Sequence, residues 1–199
     1  MKGMNFLLVG VGGQGTILAS NILAETGLGL GFDVKKAEVH GMSQRGGSVI
    51  SHIRWAEKVF SPILSEGEAD YLAAFEKIEA VRFINYLRPK ANVLINDYRI
   101  VPLSVRTSKQ QYLSDDEIQT ALKHRAENIF WVNGMKIAES LGNIKTTNVV
   151  ILGALSALLQ YEVEKWLEAI EKYVPLKARK LNINAFHLGR EEMFSNHNK

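Results

Sequence analysis

Residues 5–16, N-F-L-L-V-G-V-G-G-Q-G-T, constrain this chain more than any other stretch. A short, nearly continuous apolar run ends in glycine, the pattern of a strand buried on both faces of a parallel sheet. Gly10-Val11-Gly12-Gly13-Gln14-Gly15 then fits G-x-G-x-x-G. Beyond it, Ile17, Leu18, Ile22, Leu23 and Leu28 fall at helical spacing, and Gly27, Gly29 and Gly31 close that helix. Residues 32–39 read as a second strand. The result is a β–α–β unit, whose crossover is expected to be right-handed. In such a unit the first glycine makes the tight turn, the second admits a phosphate to the backbone, and the third lets helix and strand pack closely. The helix N-terminus offers N–H groups and partial positive charge to an anion, and Thr16 adds a hydroxyl. Gly10, Gly12, Gly13, Gln14, Gly15 and Thr16 are therefore a candidate anion- or phosphate-binding turn. A strand-to-helix turn without a ligand uses the same residues, so the motif alone leaves both readings open. The acidic residue expected about 20 positions later for a ribose is Glu38. A carboxylate facing the surface or a partner fits that position equally.

Glycine is concentrated near this unit: twelve of the sixteen lie before residue 68. After the second strand comes a polar, glycine-rich loop, His40-Gly41-Met42-Ser43-Gln44-Arg45-Gly46-Gly47. It gathers an imidazole, a hydroxyl, an amide and a guanidinium between glycines. Consecutive amides at Gly46-Gly47 suit an anion nest, and Arg45 suits a carboxylate or phosphate held by two parallel bonds. A loop of this composition rarely only connects. Glu38, His40, Gln44, Arg45, Gly46 and Gly47 are expected to form an interface or line an active site.

The rest of the chain alternates strand and helix signals. Residues 48–55 and 58–63 read as two strands joined at Ala56-Glu57 as a hairpin. Residues 70–75 suit a strand and 76–87 a helix stopped by Pro89. A buried strand follows at 92–96, a helix at 115–126 capped by Ser114 or Asp115, and a strand at 128–132. From Met135 the pattern is mostly helical, broken at Gly142-Asn143. The apolar stretch 148–159 suits a buried helix, 163–174 a helix with a polar face, and Pro175 starts a last helix. The fold class expected is α/β: a Rossmann-like open, mostly parallel sheet flanked by helices, with an inserted β-hairpin and a helical C-terminal part. Residues 1–199 are expected to form a single domain.

Composition removes several functions. There is no cysteine, so this chain holds no thiolate nucleophile, Cys-rich zinc site or Cys-ligated iron–sulfur cluster. Its five histidines form no HxxxH or HxH pair, and no metal ligands or catalytic residues are expected. No nucleophile-and-base pattern stands out, nor a P-loop or a thiamine-diphosphate magnesium signature. The net charge of +3 comes from scattered lysine and arginine, unlike the dense stripe of a nucleic-acid binder. The longest apolar stretch, at 149–159, is too short to span a bilayer, and residues 1–5 lack the features of a secretory signal. Neither nucleic acid nor membrane is expected as a partner, and the expected compartment is the cytoplasm.

At the glycine turn and the loop after it, the match to a known family becomes specific. Residues 5–16 resemble the start of the gamma subunit or domain of 2-oxoacid:ferredoxin oxidoreductases. Residues 36–49, K-A-E-V-H-G-M-S-Q-R-G-G-S-V, look like the beta subunit of the indolepyruvate ferredoxin oxidoreductases within that group. Pyruvate and 2-oxoglutarate relatives usually carry a glycine-proline-glutamate version of this loop. Residues 148–155 and 181–186 also resemble the family's C-terminal half, so the likeness covers nearly the whole chain.

The resemblance implies a non-catalytic subunit, inactive alone. A large alpha subunit would bind thiamine diphosphate with Mg and carry the iron–sulfur clusters. Together the subunits would oxidatively decarboxylate indolepyruvate and other aryl pyruvates to an acyl-CoA, with CoA as co-substrate and ferredoxin as electron acceptor. A homodimer of the isolated chain is a further expectation. Two other classes compete. One is a stand-alone NAD(P)-binding oxidoreductase or redox sensor using Gly10, Gly12, Gly15 and Glu38. The other is an ATP-binding adenylating enzyme, which usually has an aspartate-rich end to its second strand, unlike Glu38-Val39-His40.

Overall fold

The first apolar run becomes β1, Met4–Val11, in the middle of a six-stranded sheet. The computed structural model describes residues 3–40, 47–100 and 112–197. Side chains alternate along a strand, so Phe6 and Leu8 enter one apolar layer and Leu7 and Val9 the other. All four are buried, as a strand covered on both faces requires. Gly15, in the left-handed region at φ +77°, leads into helix α1, Thr16–Gly29. Gly31 ends it at φ +87°, with Gly31 N–H bonded to Leu28 O at 3.0 Å.

The next strand is β2, Asp33–His40, followed by β3, Ser48–Ala56, β4, Ala69–Ala74, and helix α2, Lys77–Arg82. Strand β5, Leu87–Asn96, helix α3, Asp115–Lys123, and strand β6, Ala126–Val132, complete the sheet. Its order is β2-β3-β1-β4-β5-β6. β1, β4, β5 and β6 run parallel, while β3 is antiparallel to both of its neighbours. Helices α4, Gly134–Ser140, α5, Thr147–Leu159, α6, Val163–Tyr173, and α7, Arg179–His197, follow. The sheet is thus mostly parallel, with helices on both faces and a helical C-terminal part. One apolar layer packs α1, α5, α6 and α7 on the sheet; α2, α3 and Leu64 cover the other.

Three expectations change. The hairpin of residues 48–55 with 58–63 does not form. Pro62 deprives the second segment of a ladder donor, and it crosses the surface as a coil with Val59 and Leu64 buried and Phe60 exposed. The consecutive strands that pair antiparallel are β2 and β3. β1 and β2 are therefore parallel but not adjacent: β3 fills the slot between them, pairing Met4↔Trp55 through Val11↔Ser48. Trp55 holds that slot, buried against Phe6 and Phe32. Its indole lies where a Cβ on Gly27 would come within 2.5 Å. The helix expected over 76–87 ends at Arg82. Pro89 lies inside β5, where the register with β4 slips and Lys90 takes φ +66°, as proline tolerates only at a strand irregularity.

Helix α5 is buried along Thr147–Ala157, the state of a helix apolar all round. It crosses α7 at glycines: a Cβ on Gly153 would overlap the Phe186 carbonyl, and one on Gly189 the Val150 carbonyl. Backbone cannot yield as a flexible side chain can. Gly189→Ala should lower the unfolding free energy by about 1–3 kcal/mol, read as a lower urea midpoint. Gly29→Ala would meet only the Lys165 stem, with Cδ at 3.3 Å, and should be neutral or stabilising. Equal losses in both variants would refute close helix contact as the reason for Gly189.

Candidate functional site

The glycine turn lies at the C-terminal end of β1, where ligands sit in open α/β sheets. Much of its bonding is internal. Gln14 Oε1 accepts from Val11 N–H at 2.7 Å, and Gln14 Nε2 donates to Phe75 O at 2.8 Å. Gln14 N–H returns to Val11 O at 3.2 Å, and Gly12 N–H donates to Gly47 O at 2.9 Å. The glycines have distinct reasons. Gly13 has φ +101°. A Cβ on Gly10 would stand 2.9 Å from both Gln14 Oε1 and Thr16 Oγ1, and one on Gly15 would reach 2.5 Å from Asn148 Nδ2. That amide donates to Gly15 O at 3.1 Å, tying the start of α5 to the start of α1. Thr16 is buried under the turn, and its hydroxyl has no partner among the described residues.

Outside the turn lies a cavity of about 540 Å³. Gly12, Gly13, Gln14 and Gly15 form one wall; Lys145, Thr147 and Asn148 form another. Leu18, Phe75, Tyr98, Ile100, Met135 and Ile144 make the rest apolar. Two helix N-termini, those of α1 and α5, meet here, and neither has an acidic residue in its first turn. Their dipoles and Lys145 bias the cavity toward an anionic group with an apolar extension.

Glu76 and Lys77 anchor the far side. Glu76 is fully buried and caps α2: Oε2 accepts from Ile78 N–H at 2.8 Å and Glu79 N–H at 3.3 Å. Its Oε1 accepts from Ile100 N–H at 3.1 Å and from the Tyr112 hydroxyl. Burial and the Glu76 carboxylate push the Tyr112 pKa far above its ordinary value, so that hydroxyl remains a donor. Lys77 Nζ joins Asp97 at 2.6 Å and Asp115 at 2.7 Å. Burial opposes its charge, but the hydrogen bonds to Asp115 and Asp97 outweigh it and raise its pKa. One dipeptide thus holds both ends of the excursion between β5 and α3.

Glu79 anchors the loop side. Ser48 Oγ donates to Glu79 Oε2 at 2.6 Å, and Arg82 Nη1 donates to Ser48 Oγ at 2.9 Å. Burial raises the Glu79 pKa, against the lowering effects of Ser48 and Arg82. Gly47 and Ser48 are consequently fixed between the turn and α2. His40 ends β2 opposite Val49. Gln44, Arg45 and Gly46 lie outside the described residues, as do Gly41, Met42 and Ser43.

Glu38 is not brought to the turn. It pairs across to Ser51 on β3, which faces Leu8 of β1, so two strand spacings, about 10 Å, separate it from β1. Its carboxylate takes Ser20 Oγ at 3.0 Å and Lys36 Nζ at 2.6 Å. The ribose-binding geometry, which requires the second strand beside the first, is absent.

Comparison with known proteins bears on this arrangement. The sequence pattern of the pyruvate ferredoxin/flavodoxin oxidoreductase family matches residues 5–192. The chain belongs to that family. It is 40% identical over 192 residues to "Indolepyruvate oxidoreductase subunit IorB" of Thermococcus kodakarensis, covering 95% of each chain. Its fold is shared with the gamma subunit of a keto/oxoacid ferredoxin oxidoreductase from Geobacter sulfurreducens. There the TM-score is 0.70 at 23% identity, covering 96% of this chain and 99% of that one. It also matches part of the 2-oxoglutarate:ferredoxin oxidoreductase of Magnetococcus marinus, with TM-score 0.74 at 17% identity, covering 98% of this chain and 32% of that one.

Within this oxidoreductase family chain, no group of three or more His, Cys, Asp or Glu suited to a metal occurs among the described residues. None of its described helices is long and apolar enough to cross a membrane. Sequence reasoning missed Glu76, Lys77 and Asn148 as site-building residues. Signals existed: a Glu-Lys pair directly after a buried strand, and an amide at the head of an otherwise apolar helix.

Glu76→Gln would turn one acceptor oxygen into a donor facing N–H or O–H groups. It should cost about 2–3 kcal/mol in urea unfolding; a loss below 0.5 kcal/mol would refute the clamp. Glu79 has its pKa raised in the fold, so between its ordinary value near 4.5 and the raised one the folded state holds a proton that the unfolded chain has released. Stability from this group therefore falls as pH rises through that window. The difference in Tm between Glu79→Gln and the natural chain should change across the window and be flat above it. A constant difference would show that Glu79 titrates normally.

Proposed function

We propose that this chain is the small, non-catalytic subunit of a thiamine-diphosphate-dependent 2-oxoacid:ferredoxin oxidoreductase. Its substrates would be indolepyruvate and other aryl pyruvates, converted oxidatively to acyl-CoA with ferredoxin as acceptor. The observation carrying this reading is 40% identity over 95% of the chain to an indolepyruvate oxidoreductase subunit. The absence of cysteine from the chain agrees with it: thiamine diphosphate, Mg and iron–sulfur clusters would belong to a large alpha subunit, and the complex would work in the cytoplasm. The face built by the glycine turn, by Gly47 and by the loop carrying His40, Gln44, Arg45 and Gly46 would be covered by that subunit. The cavity, with two helix N-termini and Lys145, would take an anionic group such as a phosphate of CoA.

The test is anaerobic co-purification of the tagged chain from its host. A stoichiometric large partner carrying iron, with indolepyruvate-dependent dye reduction, is the expected result. A chain that emerges alone, iron-free and retaining a nucleotide would overturn the reading. Arg45→Glu should weaken capture of the large subunit on the order of ten-fold or more, as misplacing an interfacial charge does. Unchanged capture and turnover would remove the loop from the interface.

A further inference from the structure

Because β3 occupies the slot beside β1, β2 lies at one edge of the sheet and pairs, among the described residues, on one side only. An edge of eight residues is a template for a further strand. Its sequence, D-V-K-K-A-E-V-H, is complementary to itself in two registers: one centred on Val34 sets Asp33 opposite Lys35 but pairs only residues 33–35 of the strand, whereas one centred on Ala37 pairs residues 34–40. A two-fold axis perpendicular to a continued sheet keeps each face on its own side, so even-numbered residues oppose even and odd oppose odd. Centred on Lys35, Lys36 or Glu38, such a pairing sets a like charge on the axis. Centred on Ala37, it sets a small side chain on the axis and Lys36 of each copy opposite Glu38 of the other. Within one chain Lys36 Nζ already lies 2.6 Å from Glu38 Oε1, so the two copies would close a ring of four alternating charges.

The helix over this edge supplies a second observation. Between Thr16 and Gly29, α1 has one charged residue, Glu25, a composition suited to a covered helix. Yet Ile17 is 43% and Leu28 52% exposed. The two lie on one side of α1, three turns apart and roughly 60–80° round from Ser20, whose hydroxyl bonds to Glu38. On the opposite face of the strand, Val39 is 46% exposed and would meet the aliphatic stem of Lys35 of the second copy.

We infer that β2 binds a second copy of this chain, antiparallel about a two-fold at Ala37, continuing the sheet from one copy into the next. This goes beyond the proposed activity and does not depend on the large subunit.

Sedimentation of the full chain tests it. The natural chain should sediment as a dimer. Lys36→Glu and Glu38→Lys should each weaken that dimer on the order of ten-fold or more, because the ring becomes all of one sign. Mixed one to one, the two variants should recover it, as should the double swap in one chain. Glu127→Lys, on the opposite edge strand, should leave the mass unchanged, and circular dichroism should show all variants folded. A monomeric natural chain, or single variants that dimerise normally, would overturn the inference. Loss of large-subunit capture by Glu38→Lys with a monomeric natural chain would assign the edge to that subunit instead.

Discussion

The pairing of β3 with β1, from Met4↔Trp55 to Val11↔Ser48, is the contact on which the rest of the structure depends. It is an eight-residue antiparallel ladder in the centre of a sheet whose neighbouring strands run the other way. Ile53 and Trp55 make it an apolar contact as well as a backbone one, since both are fully buried. Three features follow from it. Gly47, just before β3, reaches the amide of Gly12. Ser48 reaches Glu79. Glu38 is displaced one strand farther from β1 than a dinucleotide site requires. A G-x-G-x-x-G turn in this setting has Gly12 bonded to Gly47 of its own chain, and the second strand that would carry a ribose-binding carboxylate does not lie beside the first.

The polar residues at this end of the sheet are arranged to resolve buried charge locally. Glu76 meets four donors, and Lys77 meets two carboxylates. A fully buried carboxylate without donors would be strongly unfavourable, so Glu76 can persist only while Ile100 and Tyr112 remain in place. The same dependence runs backward: the two ends of a long excursion are held because one carboxylate requires both. Ile100, which lines the cavity, is positioned by this requirement rather than by strand pairing, and Tyr98 O beside it accepts from Lys77 N–H at 3.2 Å. That part of the cavity wall therefore depends on the network behind it.

What was legible in the sequence divides along physical lines. β1, the turn, α1 and the buried α5 were legible because their signals are local: continuous apolar runs, helical spacing and glycines at strained positions. The family was legible from residues 36–49. The slot taken by β3 was not, because residues 48–56 read as a strand without stating which strand they join, and a hairpin to 58–63 was the nearer partner. Pro62 was the available warning. Pro89 reads as a helix stop in the sequence, although the same ring is admissible at a strand irregularity such as that beside Lys90. Glu76 and Lys77 carry no local signal because the partners that tie them to the excursion are 20–38 residues away in the chain, and no periodicity records such a contact. The roles of Gln44 and Arg45 rest on the sequence alone.

The two surfaces assigned to this chain share the β2–β3 pair but do not compete for it. One is the loop face at the C-terminal end of the parallel strands; the other is the outer edge of β2. Antiparallel association about Ala37 reverses the strand direction from one copy to the next. His40 of one copy then lies opposite Val34 of the other, so the two loop faces emerge at opposite ends of the continued sheet. Six residues separate these positions, roughly 20 Å along the strand. A large subunit on each loop face would consequently have its own side of the assembly. Any communication between the two sites would have to travel along β2 itself, through the Lys36–Glu38 charges and the Ser20 hydroxyl that connects them to α1.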